Sequence, residues 1–155
     1  MKKTIIGILA LATSIAGYAQ EKTQEPFSTK TFSSSSIKNV EASTAGGNIS
    51  VSGTAGSESK VEVFVRPSNS RNKDWSKEEI QKKLNEDYEL QVEVNGQKLT
   101  AIAKSKKKNM DWKDALSISF RIYVSSIVAS QLTTSGGNLS LTELAGEQHF
   151  TTSGG

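Results

Sequence analysis

The sequence predicts an all-β chain wound as a β-solenoid, carrying an inserted hairpin and one short α-helix behind an N-terminal signal peptide. Two observations carry that prediction. Thr133-Thr134-Ser135-Gly136-Gly137-Asn138-Leu139-Ser140-Leu141 restates the earlier Ser43-Thr44-Ala45-Gly46-Gly47-Asn48-Ile49-Ser50-Val51, and Thr151-Thr152-Ser153-Gly154-Gly155 opens a third copy. Outside these copies the apolar residues alternate with period two over long runs, which is strand spacing. From Gly137 to Gly155 is 18 residues (155 − 137), a plausible length for one coil. Each copy reads as a Gly-Gly corner, with freedom for positive φ, followed by a strand with Leu139 and Leu141, or Ile49 and Val51, turned inward. Asn48 and Asn138 fall at the same phase, where stacked amides would satisfy backbone groups at the bend. The competing reading is a Gly-Gly-Asn hairpin turn between antiparallel strands.

Residues 1–19 read as a secretory signal peptide: Lys2-Lys3, an apolar run from Ile5 to Ala16, and small residues Gly17 and Ala19 before the cleavage point. No cysteine occurs anywhere, so neither a lipoprotein anchor nor a disulfide framework is open to the chain. Removing Lys2 and Lys3 lowers the formal net charge from +3 to about +1, which gives no electrostatic case for nucleic acid. Export to the periplasm, cell surface or medium is the expected destination, with no transmembrane segment beyond the signal peptide. Residues 20–36 are rich in Ser and Thr and read as a polar extended or disordered lead-in. The domain itself is expected over 37–155.

A first strand is expected at Ile37–Ala42. Lys60–Arg66 alternates strictly and places Val61, Val63 and Val65 inward, ending at Pro67. Ser76-Lys77-Glu78-Glu79 is a capping-box signature, and Ile80 and Leu84 recur at helical spacing. Trp75, just before the cap, is positioned to staple the helix, which is expected to cover an end or flank of the coils. Asn95-Gly96 between two alternating runs predicts a hairpin with a type I′ turn. Lys104-Ser105-Lys106-Lys107-Lys108 reads as a solvated loop, the alternative being contact with anionic envelope polymers or head groups. Met110-Asp111-Trp112 is expected to tuck that loop back onto the domain. Leu116–Val124 is the cleanest strand, with Leu116, Ile118, Phe120, Ile122 and Val124 on one face and Arg121 and Tyr123 on the other. Leu144 and Phe150 extend the apolar series.

The phrase S/T-x-G-G-N-Φ-S-Φ followed by a second Gly corner resembles the bacterial putative-adhesin repeat domains of the DUF4097 and DUF2807 type. The resemblance runs from about Phe32 to the end, with gaps, and rests on short glycine-based motifs. It departs where Val124 is followed by Ser125-Ser126 instead of a proline. The resemblance implies a right-handed β-solenoid on an exported protein, and it transfers no catalytic residues. The chain reads as stopping on a corner, as a fragment of a longer array of coils would.

Chemistry-bearing motifs are sparse. His149 is the one histidine, no nucleophile elbow frames any serine, and no Asp-rich loop or Gly-Lys-Ser/Thr cradle occurs. No cofactor or metal is expected, and no catalytic residue. The expected role is non-enzymatic: a rigid polar surface that binds an envelope or extracellular partner, glycan or protein. A carbohydrate-binding or polysaccharide-degrading β-helix is the alternative, as is a purely structural scaffold. Gly46, Gly47, Asn48, Gly136, Gly137, Asn138, Gly154 and Gly155 are the expected structural corners. Arg121, Tyr123 and Trp112 are the candidate recognition residues, the aromatics as platforms for sugar rings.

Overall fold

The computed structural model describes residues 24–69 and 74–154. The signal peptide expected at 1–19, the start of the lead-in, and Gly155 lie outside the described residues. The chain is mostly β and forms two mixed five-stranded sheets that do not close into a barrel. The strands are β1 (Ser28–Ser33), β2 (Asn39–Thr44), β3 (Ile49–Thr54), β4 (Glu58–Pro67), β5 (Tyr88–Asn95), β6 (Lys98–Ser105), β7 (Leu116–Ser125), β8 (Ala129–Thr134), β9 (Leu139–Thr142) and β10 (Gln148–Thr152). One helix, α1, spans Lys77–Asp87. The first sheet runs β1-β4-β7-β3-β9 and the second β10-β8-β2-β6-β5.

The two matching phrases lie side by side. β2 pairs parallel with β8, and β3 pairs parallel with β9, bringing Ile49 opposite Leu139 and Val51 opposite Leu141. Each Gly-Gly-Asn bend therefore carries the chain from one sheet to the other. That excludes the tight antiparallel hairpin, because β2 and β3 never share a ladder. Antiparallel pairing is confined to the β1–β4, β4–β7 and β5–β6 ladders.

Between the sheets sits one core. Val40 and Ala42 from β2, Ile49 and Val51 from β3, Leu99 and Ala101 from β6, and the inward series Leu116, Ile118, Phe120, Ile122 and Val124 from β7 are all buried. Leu139, Leu141 and Leu144 are half-buried against it. Period-two alternation fixed these faces, since a one-residue slip would turn the entire set to water. Phe150 departs from the expected series. It is opposite Leu132 in the register yet 61% exposed, because among the described residues no strand of the first sheet lies beyond β9 to cover it.

Three further expectations change. The hairpin is real, but its turn centres on Gly96-Gln97, with Asn95 opposite Lys98. Of the two central residues only Gly96 has positive φ, at +60°, so glycine takes the first central position as a type II′ turn requires. The hairpin is not a separate insertion either, since β6 is an interior strand of the second sheet. Part of the polar lead-in is also a paired strand: β1 lies antiparallel on β4, and its Lys30 ammonium crosses between the sheets to the Val92 carbonyl at 2.8 Å.

Helix α1 starts as its capping box predicts. The Glu79 amide donates to Ser76 Oγ at 3.2 Å, and the Ser76 amide donates to the Glu79 carboxylate at 2.8 Å. Leu84 is buried, while Ile80 and Trp75 pack partly against the core, so the helix lies over β5 and β4. Its C-terminus carries Asp87, the wrong sign for the negative end of a helix dipole. The lysine run corrects that mismatch. Lys107 pairs with the buried Asp87 carboxylate alongside Lys83 at 3.0 Å, and Lys106 donates from Nζ to the Asn85 carbonyl at 2.8 Å. Two of the run's lysines are thus bound to the helix end, in place of the freely solvated loop. Met110 reaches the Tyr88 hydroxyl at 3.0 Å and anchors the following segment, but Trp112 stays 63% exposed.

Candidate functional site

The corner residues come together as a column. Thr44 Oγ1 donates to the Ile118 carbonyl at 2.8 Å, Thr134 Oγ1 to the Gly47 carbonyl at 3.0 Å, and Thr152 Oγ1 to the Gly137 carbonyl at 3.3 Å. The asparagine ladder is present in one step, with the Asn138 amide donating to Asn48 Oδ1 at 3.0 Å. The second glycine of the first two pairs is needed less for turning than for close approach. A Cβ on Gly137 would stand 2.0 Å from the Gly47 carbonyl oxygen, and one on Gly47 would stand 2.1 Å from that of Ile118. Gly46 has nothing within 4 Å of a Cβ, and Gly136 only a contact at 3.8 Å. Positive φ occurs at Gly47 (+155°) and at neither Gly46 nor Gly136, which corrects the expectation that both glycines serve the bend. A Cβ on Gly154 would meet the Ser135 carbonyl oxygen at 3.1 Å.

Arg121 and Tyr123 stand on the outer face of the first sheet, where the pleat and register assemble two rows across all five strands. One row is Thr29, Glu62, Arg121, Ser50 and Ser140; the next is Thr31, Lys60, Tyr123, Ser52 and Thr142. Neither row contains an inward residue, so both rows carry polar groups on every strand. It is also braced from within. Lys60 Nζ lies 2.7 Å from Glu62 and 4.5 Å from the centre of the Tyr123 ring, and the Glu62 hydrogen bond raises the Lys60 pKa. Arg121 stands 3.7 Å from Glu62 and 4.9 Å above the Phe64 ring. These contacts fix the aromatic and cationic groups in place, which limits the entropy lost when a partner docks.

Trp112 belongs elsewhere. Its carbonyl accepts from the Ala115 amide in the turn before β7, and the strand from Leu116 to Tyr123 spans roughly 23 Å. The structure therefore separates it from the other two candidates. What residue reasoning missed is β4's outer face: Lys60, Glu62, Phe64 and Arg66 alternate with the valines that fixed the strand, but their importance depends on β4 pairing with β7.

His149 is paired with an acid. Its Nε2 lies 2.9 Å from Glu147 Oε1 on an exposed strand, with both side chains largely in solvent. Among the described residues no group of three His, Cys, Asp or Glu side chains is placed to hold a metal. No described helix is long and apolar enough to cross a membrane.

No family model matches the chain, and no curated protein matches it by sequence. Among solved structures it is similar to one described as a putative cell adhesion protein from Clostridium sporogenes, at 12% identity and a TM-score of 0.42. The alignment covers 83% of this chain and 57% of that one, so this chain spans little more than half of that protein's length. Likeness at that level identifies neither a family nor an activity.

Proposed function

We propose that this is an exported, non-enzymatic domain of adhesin type, a right-handed β-solenoid whose outer face holds a cell-envelope or extracellular partner through many weak polar contacts. The observation that supports it most is the pair of five-strand rows running through Arg121 and Tyr123, polar and braced by Lys60 and Glu62. Parallel in-register pairing of the repeated phrases supports the solenoid reading, because like residues stack on like. Export rests on the residues of the N-terminus, and the secreted protein is expected to begin at Gln20, as its N-terminal mass would show.

Glycans are the partner class that such a face suits: hydroxyl rows offer donors and acceptors to sugar hydroxyls, and the Tyr123 ring offers an apolar face. A glycan array run with the wild type and Tyr123→Ala tests this. Loss of signal in the variant at unchanged melting temperature is expected; identical arrays would leave a scaffold role. Release of soluble products from any polysaccharide, dependent on His149 or Glu147, would overturn the non-enzymatic reading.

A further inference from the structure

Between β4 and β7 the outer face sinks into a depression of about 140 Å³, lined by Gln24, Asn48, Arg66, Ser119 and Arg121 around Phe64. The antiparallel register explains its shape. Phe64 sits opposite Ser119, with Arg66 one outward position along one side and Arg121 one outward position along the other. The two guanidinium groups thus bracket the same spot, and Arg121 leans over the Phe64 ring.

The polar groups around it can all donate. Asn48 Oδ1 already accepts from the Asn138 amide, which can only donate, so the Asn48 NH2 is left to point elsewhere with two hydrogens to give. Ser119 Oγ already accepts from the Asn48 amide at 3.0 Å, leaving its O–H free to donate. No carboxylate lines the depression, and among the described residues none lies within 4.0 Å of Arg66. Arg121 has only Glu62 at 3.7 Å, and Glu62 is held more closely by Lys60 at 2.7 Å. Two guanidinium groups converging beside a donor hydroxyl and two side-chain amides, with no carboxylate among them, call for an anion, and the planar forks suit a carboxylate.

We propose that this depression is an anion subsite that takes the carboxylate of an acidic polysaccharide, the rest of the polymer lying along the neighbouring hydroxyl rows. The inference rests on the reading that this face is the binding surface. It favours a polymer over a small free anion because Ser50 and Ser140 continue the Arg121 row across two further strands, giving sugar hydroxyls partners beyond the charged end.

The test is affinity electrophoresis of the full chain in gels containing polygalacturonate, its fully methyl-esterified form, or neutral dextran, with free phosphate and free galacturonate as competitors. Retardation by polygalacturonate alone is expected, weakening as salt rises. Arg66→Gln and Arg121→Gln should each weaken it about tenfold, a loss typical of a charge-assisted contact. Arg66→Lys should retain part of the affinity, and Glu62→Gln should strengthen it a few-fold by freeing Arg121. Lys104→Gln with Lys108→Gln should change nothing. Equal retardation by the esterified polymer, or indifference to both arginine variants at unchanged melting temperature, overturns the subsite. Phosphate binding without polymer binding overturns the polysaccharide assignment. Retention that survives Tyr123→Ala but falls with the arginines upholds the subsite and removes the wider face; the reverse pattern removes the subsite and keeps the face.

Discussion

At the residue scale, two glycines that look interchangeable in the sequence have different jobs. Gly137 must let the Gly47 carbonyl approach to where a Cβ would be, whereas Gly136 borders open space. Gly137→Ala is expected to cost about 2–3 kcal/mol, the upper range for overpacking, and Gly136→Ala well under about 1 kcal/mol. Chemical denaturation of the two variants separates them directly. Asp87 is the second residue with a large stake. Hydrogen bonding from Lys107, and then from Lys83, holds its carboxyl below the usual value near 3.8, against the opposing effect of burial. A depressed folded-state pKa contributes stability that is present above the unfolded value and is lost as the pH falls through the folded one. Melting temperature should therefore drop below about pH 4 more steeply in the wild type than in Asp87→Asn. At neutral pH that variant should itself be weaker by about 2 kcal/mol, the scale of a hydrogen bond to a charged group.

At the element scale, helix α1 is held at both ends by side chains, through the Ser76–Glu79 box at its start and the lysines of the following loop at its finish. Ser76→Ala should cost about 1 kcal/mol. Lys106→Ala with Lys107→Ala should loosen the last turn, seen as faster amide exchange at Asn85–Tyr88 and no change at the first turn. The capping box was legible in four consecutive residues, and so were the inward faces of β4 and β7, because both depend on local spacing alone. The grip of Lys106 and Lys107 was not legible, since a basic run looks the same whether it faces water or a helix end 20 residues earlier. The threonine column lies between these cases. Thr44, Thr134 and Thr152 each stand two residues before their Gly-Gly pair, so the pattern was visible while the carbonyl each one reaches belongs to another turn of the chain. Likewise β1 was hidden because a Ser/Thr-rich edge strand has little alternation to display, and the Arg66–Arg121 depression needs the β4–β7 register before its residues become neighbours.

At the scale of the whole molecule, the two ends of the sheets are built differently. At one end β1 and β5 are antiparallel edges, linked by Lys30 to Val92, with α1 lying over β5 and β4. At the other, β9 and β10 are parallel edge strands with Phe150 exposed and Leu139 and Leu141 half-covered. Each edge strand is held by one neighbour and each interior strand by two, so protection should be graded. Hydrogen exchange is expected to be fastest in β10, slower in β8 and β9, and slowest in β2, β3 and β7. Uniform protection from β10 to β7 would show instead that the molecule opens only as a whole.

The parallel edge at β10 also sets how the protein bears load. A pull through Thr152 meets one strand's hydrogen bonds at a time and lifts the ribbon as tape peels from a surface. A pull across β1 and β5 loads the Lys30 bridge and the antiparallel ladders together and must shear them at once. Tension from one direction would thus be yielded to gradually, and from the other resisted until it breaks.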